Sequence, residues 1–187
     1  MAKIKDSNFQ YYDVIMENAK LCFKPNFEGR ETKNQMTGDI MNQKGKRNFE
    51  VVMDDPETNI SKRWYDQETG QFMTKKISAD DLANEGWNIK IFTPKDDTRS
   101  PFRHMRVQVS FDRKPPKIYM SVNGNPAVEL DEDTVKDIDD CQIMYADIAF
   151  RSHPWENSFG QSGINGYLSE AHFDVAPSSL FGEKYMQ

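Results

Sequence analysis

The chain has 187 residues, with 24 Lys and Arg against 30 Asp and Glu and a net charge of −6. That length suits one domain with embellishments and is enough for a single stable core. No stretch reaches the roughly 18 apolar residues of a membrane span, and the opening MAKIKDSNFQ lacks an apolar signal core, so no membrane association and a cytoplasmic setting are expected.

Apolar supply is modest. Leu, Ile, Val and Phe together number 38, but only 5 are Leu against 12 Ile and 9 Val, and there are 22 aromatics. β-Branched and aromatic side chains fit a pleated, half-buried surface better than a helix, so a mainly β protein is expected. Cys22 and Cys141 lie far apart in apolar runs and read as reduced core thiols. The sequon Asn59-Ile60-Ser61 has no other sign of secretion beside it and reads as chance.

In chain order, VIMENAKLCF at 14–23 reads as a first strand. Residues 24–46 are a long polar connection with Pro25, Gly29, Gly38 and Gly45; a loop that long in a compact domain is usually functional or disordered. RNFEVVMD at 47–54 is a second strand. KRWYDQETGQFMTKK at 62–76 sets four basic residues and three aromatics around a polar turn, as a protruding hairpin would. Ser78 as a cap, Asp80 and Asp81 in a first turn, and Gly86 as a stop mark a two-turn helix. Strands over 87–92, 104–111 and 117–122 follow, then the turn Asn123-Gly124. A short acidic helix over 131–139 precedes strands over 142–150 and 164–175, which flank a Pro/Gly/Ser-rich bend at 154–163.

Period-two alternation sorts the faces. It turns Trp87, Ile89 and Ile91 inward and Lys90 and Phe92 to the other side. It buries Met105, Val107, Val109 and Phe111, leaving His104, Arg106, Gln108 and Ser110 outside. It buries Ile118, Met120 and Val122, leaving Lys117 and Tyr119 outside. Lys90, Phe92, Arg106, Lys117 and Tyr119 thus interleave cations with rings. Single-stranded nucleic acid needs that combination: positive charge for phosphates and π-faces for bases, at about 1–3 kcal/mol per stacked base. Ordinary exposed faces, with Lys stems and rings covering core edges, give the same pattern and are the more common explanation of it.

Charge is uneven along the chain: residues 1–120 sum to +3 and residues 121–187 to −9. Such asymmetry can mark a nucleic-acid face opposite an acidic one, though uneven surface decoration explains it as well. Catalytic motifs are missing. There is no phosphate-binding loop or dinucleotide fingerprint. His104, His153 and His172 show no zinc-ligand spacing. The seven carboxylates at 129–140 lack calcium-loop spacing and read as a solvated acidic face. The sequence therefore argues against an enzyme only by what it lacks.

An ordered series of segments remains: NFEGR at 26–30, GKRNFEVVMDD at 45–55, EGWNIKIFTPKDD at 85–97, HMRVQVSF at 104–111, RKPPKIYMSVNGNPAVELDEDTVKDID at 113–139, ADIAFRSHPWE at 146–156 and SGINGYLSEAHFDV at 162–175. Together these resemble a family of bacteriophage single-stranded DNA-binding proteins long catalogued as a domain of unknown function. The resemblance implies one OB-fold-like domain over 1–187, a Greek-key β-barrel with a core at about 14–175 and one or two short helices. It implies sequence-tolerant binding of single-stranded DNA in phage replication or recombination inside the infected bacterium. No cofactor, metal or catalysis is implied; a phage recombinase or polymerase is the partner to expect. On the matched motifs, Lys46, Arg47, Phe49, Arg151 and Trp155 become binding candidates beside Lys90, Phe92, Arg106, Lys117 and Tyr119.

Two departures stand out. Residues 56–77 look like an inserted hairpin, and the tail at 176–187, ending SSLFGEKYMQ, carries one acid, Glu183, so recruitment of partners by an acidic tail is not expected. The hairpin's Lys62, Arg63, Trp64, Tyr65, Phe72 and Lys75 either extend a DNA groove or pair aromatics at a subunit interface. The second option leaves a homodimer open. It also leaves open a different identity, a β-rich phage structural or assembly protein. A hydrolase with carboxylates gathered by the fold is a third and weaker reading.

Overall fold

The structure, a computed structural model, describes residues 9–177. In chain order it contains β1 (Asp13–Ala19), β2 (Leu21–Asn26), β3 (Thr32–Lys33), β4 (Ile40–Asn42), β5 (Arg47–Val52), β6 (Asn59–Asp66), β7 (Gln71–Lys76), α1 (Ala79–Glu85), β8 (Ile89–Phe92), β9 (Phe102–Val109), β10 (Lys117–Val122), β11 (Val128–Leu130), a 3-10 turn (Val135–Asp140), β12 (Ile143–Glu156) and β13 (Ser162–Val175). It is mainly β. Eleven strands form one sheet in the order β2-β5-β9-β13-β12-β1-β6-β7, with β8 beside β9, and β10 beside β13 with β11 on its far side. β13 runs parallel to both β9 and β10. The expected closed barrel is not drawn by these ladders: the sheet is open, with β2 and β7 at its ends. Among the described residues, no helix is long and apolar enough to cross a membrane. The expected tail lies, from residue 178 on, outside the described residues.

The expected first strand is two strands, because the chain bends after Met16. Asn18 takes φ +57, a left-handed conformation that Asn tolerates better than most residues. Its N–H donates to Asp147 at 2.8 Å, and its carbonyl accepts from the Thr58 hydroxyl at 3.0 Å. Residues 13–19 therefore pair with β12 and β6, while residues 21–26 pair with β5.

The inward rows of these strands form the core. Phe27 stacks on Phe49 at 5.4 Å, and both meet Phe173 edge-on at 5.5 and 5.8 Å. Trp87 meets Phe150 at 5.5 Å. Gly166 makes this approach possible, since a Cβ there would lie 2.7 Å from the Phe150 ring. Helix α1 forms where capping chemistry placed it: Ser78 accepts from the Asp81 N–H while Asp81 accepts from the Ser78 N–H, and Gly86 closes the helix at φ +106. The hairpin β6–β7 also forms, with six register pairs from Ser61↔Lys76 to Asp66↔Gln71. Three expectations need correction. Ile91 is 71 % exposed while Phe92 is half-buried, because β8 is short and Phe92 packs on Phe102 and Phe23 instead. The acidic helix is a single 3-10 stretch, Val135–Asp140. The broad bend at 154–163 shrinks to the turn at 157–161, since β12 and β13 each run 14 residues.

The long 27–46 connection is anchored, not loose. Asn26 Oδ1 accepts from the N–H groups of Gly29 and Arg30, and Asn42 Nδ2 donates to the carbonyls of Arg30, Gln43 and Lys46. Asn48 Nδ2 donates to Asn42 Oδ1 at 2.9 Å. All three Asn are buried, so each bond satisfies a group that water cannot reach. Buried Asp139 accepts from the N–H groups of Phe27 and Glu28 at 2.7 and 2.9 Å and holds the loop's start.

A second network pins α1 to the sheet. The Trp87 indole N–H donates to Tyr12 Oη at 2.7 Å, and that hydroxyl donates to the Glu85 carboxylate. Lys62 lies 3.7 Å from Glu85 and 5.0 Å from the Tyr12 ring centre. Tyr12→Phe removes the acceptor and the donor together. It should cost about 1–3 kcal/mol in urea unfolding, as expected when buried polar groups lose a partner. Alkaline stability follows from the same region. Burial, with Glu50 nearby, pushes the Cys22 thiol from its ordinary 9.0 up to about 12, and burial, then Glu85, raises the Tyr12 hydroxyl. Both groups hold protons longer in the folded state. The stability they confer is complete below the unfolded values and is lost as pH rises through the folded ones. The thermal midpoint should fall from about pH 9 upward, and Cys22→Ala should flatten the first part of that fall.

Candidate nucleic-acid interface

β9 carries the candidate site. Alternation along it sends Met105, Val107 and Val109 into the core and leaves Arg106 and Gln108 outside. Glu50 and Asn48 of β5 stand opposite Arg106 and Gln108, and Tyr167 of β13 is the register partner of Gln108 on the other side. Two clefts meet at Gln108. The first, about 270 Å³, is lined by Glu50, Lys90, Arg106, Gln108, Trp155 and Asn165 among others. The second, about 250 Å³, is lined by Lys44, Lys46, Arg47, Gln108, Phe111 and Tyr167 with Asp112 and Glu132. Together they make one track along β9, from the end of the anchored 27–46 loop to β8.

Trp155 is the flat surface on this track. It pairs in register with Gly163, and a Cβ at Gly163 would lie 2.9–3.0 Å from three atoms of its indole. The ring can lie against the backbone there only because residue 163 is glycine. Its Nε1 is buried without a hydrogen-bond partner among the described residues. Arg106 is oriented by Glu50, whose Oε1 lies 3.2 Å from its Nε, while the other Glu50 oxygen is 2.8 Å from His104 Nδ1. Lys90 is exposed beside them. Arg47 is more committed: Nε donates to the Phe27 carbonyl at 3.0 Å, one terminal nitrogen lies 3.5 Å from Glu132, and the guanidinium sits 5.2 Å from the Phe111 ring centre. Lys46 and Lys44 remain exposed at the loop's end.

The other expected residues divide. Phe49 is not available to a base: it is 1 % exposed and enclosed by Phe27 and Phe173. Lys117 and Tyr119 do face outward, but not towards this track. Their register partners are Glu170, His172 and Glu129, and Tyr119 stacks on His172 at 4.6 Å in an acidic neighbourhood. Phe92 packs into a cluster with Phe23 and Phe102 at the β8 end. The hairpin residues split by face. Arg63 pairs with Asp13, which pairs with Arg151, which pairs with Tyr167, so Arg63, Arg151 and Tyr167 share the outward face of the sheet. Tyr65 and its partner Phe72 follow Arg63 on that face, with rings 5.4 Å apart and the Arg63 guanidinium 4.2 Å from Phe72. Lys62, Trp64 and Lys75 lie on the opposite face, where Lys62 meets Glu85 and Trp64 packs on the core. Burial raises the Asp13 carboxyl, while Arg63 and Arg151 draw it down. Tyr167 and Lys44 are additions that the sequence reading missed. The alternation Asn165, Tyr167, Ser169 around buried Gly166 and Leu168 could have revealed Tyr167.

The family model described as "Putative phage ssDNA-binding domain" matches residues 70–187. Searches of curated proteins and of solved structures returned no match.

The glycine beneath Trp155 gives a direct check. Gly163→Ala should push the indole off the backbone at a cost of about 1–3 kcal/mol, the usual range for overpacking. The indole N–H resonance of Trp155 should move in a two-dimensional NMR spectrum, while those of Trp64 and Trp87 stay in place.

Proposed function

The chain belongs to this phage ssDNA-binding family, and from that premise we propose that it binds single-stranded DNA without sequence preference along β9. The observation that carries the reading is Trp155 laid over Gly163 in a cleft that Lys90 and Arg106 also line. A ring held flat before the ligand arrives loses little freedom on stacking, and every base offers a π-face, so contact there is sequence-tolerant. Lys46, Lys44, Lys90 and Arg106 meet phosphates, and Tyr167 adds a second ring. Arg151, Arg63, Tyr65 and Phe72 extend the face towards the hairpin.

The arrangement supports an OB-like core in a single domain. Only Lys20 separates β1 from β2, so one bent strand borders β12 on one side and β5 on the other. The path from β1 through β12, β13, β9 and β5 thus begins and ends on that bent strand, an order that an OB-like core shares, although the sheet stays open. In this reading the protein coats and protects strands during phage replication or recombination in the bacterial cytoplasm, presents them to a recombinase or polymerase, and needs no catalysis.

Tryptophan fluorescence during titration with oligothymidine of about 30 nucleotides tests the proposal, with duplex DNA as control and two salt concentrations. Saturable quenching by the single strand, weak response to duplex and salt-sensitive affinity are expected. No saturable binding at low salt overturns it. Trp155→Ala should weaken binding about 5- to 150-fold with the salt slope unchanged. Lys90→Ala and Lys46→Ala should each flatten that slope by about 0.7.

One observation favours a second role for the hairpin. Every residue of β7 is exposed, including Phe72 and Met73, and among the described residues the strand is a free sheet edge, which is a template for pairing with a second copy. The double variant Arg63→Ala, Tyr65→Ala separates the two. Weaker oligonucleotide binding with unchanged sizing chromatography supports DNA contact, and loss of a dimer with unchanged binding supports the interface.

A further inference from the structure

Phe23 is strained and exposed at once. Its φ is +60, a region that a bulky side chain rarely occupies and that marks candidate functional positions when it does. A register shift in the β2–β5 ladder between Cys22 and Asn26 sets this conformation, and such irregularities commonly re-aim a side chain. Full burial of the ring would offset the strain, yet Phe23 stays 49 % exposed. It stands edge-on to Phe92 at 5.1 Å and to His104 at 5.2 Å, with Phe102 at 6.3 Å and Phe92 and Phe102 themselves 5.3 Å apart.

This cluster continues the β9 track. His104 is the register partner of Lys90 and shares Glu50 with Arg106. A strand leaving Trp155 past Arg106 and Lys90 therefore arrives at Phe23. Lys24, the next residue, is exposed beside it. We propose that Phe23 stacks a base of the bound single strand and forms, with Phe92 and Phe102 supporting its edge, a second aromatic station beyond the Trp155 cleft. The assignment rests on the single-strand reading above. It also gives the strain a purpose: the left-handed backbone turns the ring out to where a base can reach it.

Three variants of the full chain test this with the same oligothymidine probe. Phe23→Leu keeps the backbone and the apolar cover of Phe92 but has no π-face. Phe23→Gly drops the ring and adopts φ +60 without strain, so lost binding there does not come from a distorted β2. Phe23→Tyr keeps the ring. The leucine and glycine variants should bind about 5- to 150-fold more weakly, the worth of one stacked base, with an unchanged salt slope, and the tyrosine variant should bind like the wild type. Wild-type affinity in Phe23→Leu overturns the assignment and makes the ring a lid on the Phe92–Phe102 pair, while leaving the single-strand reading intact. Failure of the wild-type protein itself to bind overturns both.

Discussion

The bend in residues 13–26 is the constraint on which the other features depend. Its first half supplies Val14, Met16 and Ala19 to the core, all fully buried, and sits between β12 and β6. Its second half lies against β5 at the far end of the sheet order. One short segment thereby fixes where β5 stands, and β5 fixes β9 through six register pairs. The bend is made by a residue that tolerates left-handed backbone, Asn18, tied by hydrogen bonds to Asp147 and Thr58. A straight strand would leave β2 paired beyond β12 and β6. The Phe27–Phe49–Phe173 cluster would then not form, and Glu50 would not face Arg106.

Charge on the candidate face is arranged locally, not in bulk. The chain is acidic, with net −6, and several of its face cations have carboxylates nearby: Arg106 with Glu50, Arg47 with Glu132, and Arg63 and Arg151 with Asp13 between them. Such partners hold long side chains in place but reduce the positive potential that a phosphate meets. Binding by such a surface leans on rings more than on counterion release. On the proposed reading, the bare Gly163 beneath Trp155 and the left-handed backbone at Phe23 both serve to present rings. The neighbourhood of β10 and β11, with Glu129 and Glu170 beside Lys117 and Tyr119, offers a polyanion the more acidic surroundings.

Much of this was legible in the sequence where the controlling physics is local. Alternation assigned the faces of β10 correctly and those of β9 except at His104, which shares the Arg106 face but is buried against Phe23 and Glu50, and the capping pattern of Ser78, Asp81 and Gly86 placed α1. What failed was set by partners distant in the chain. Lys62-Trp64 and Arg63-Tyr65 are equally amphipathic pairs, and only the register with Asp13 decides which of them joins Arg151. Lys117 and Tyr119 do point outward, but Glu129 and Glu170, which make their surroundings acidic, arrive from other strands. Phe49 is different: the alternation in RNFEVV already puts it inside with Val51, and the flanking cations drew attention away from that. Tyr167 lies just before the register shift near Ala149 and Phe150, which swaps the outward phase of β13 from odd to even residues, so alternation shows it only when 164–169 is read apart from 170–175.

The family match begins at Gly70, inside the β6–β7 turn, and that boundary does not coincide with a folding unit. Residues 70–187 contain β9, β12 and β13 but lack β5 and β1, which cover the free sides of β9 and β12. Without them, two strands would expose their backbone donors and acceptors, and Phe173 would lose its cover from Phe27 and Phe49, in a segment too small to forgo it. The track divides at the same boundary. Lys90, Arg106, Trp155 and Tyr167 lie in the matched part, whereas Lys44, Lys46, Glu50 and Phe23 come from the first 69 residues. The N-terminal strands therefore complete the sheet and also supply the loop cations at one end of the track and the strained ring at the other. Matched and unmatched parts contribute strands to the same sheet, and the proposed binding surface draws on both.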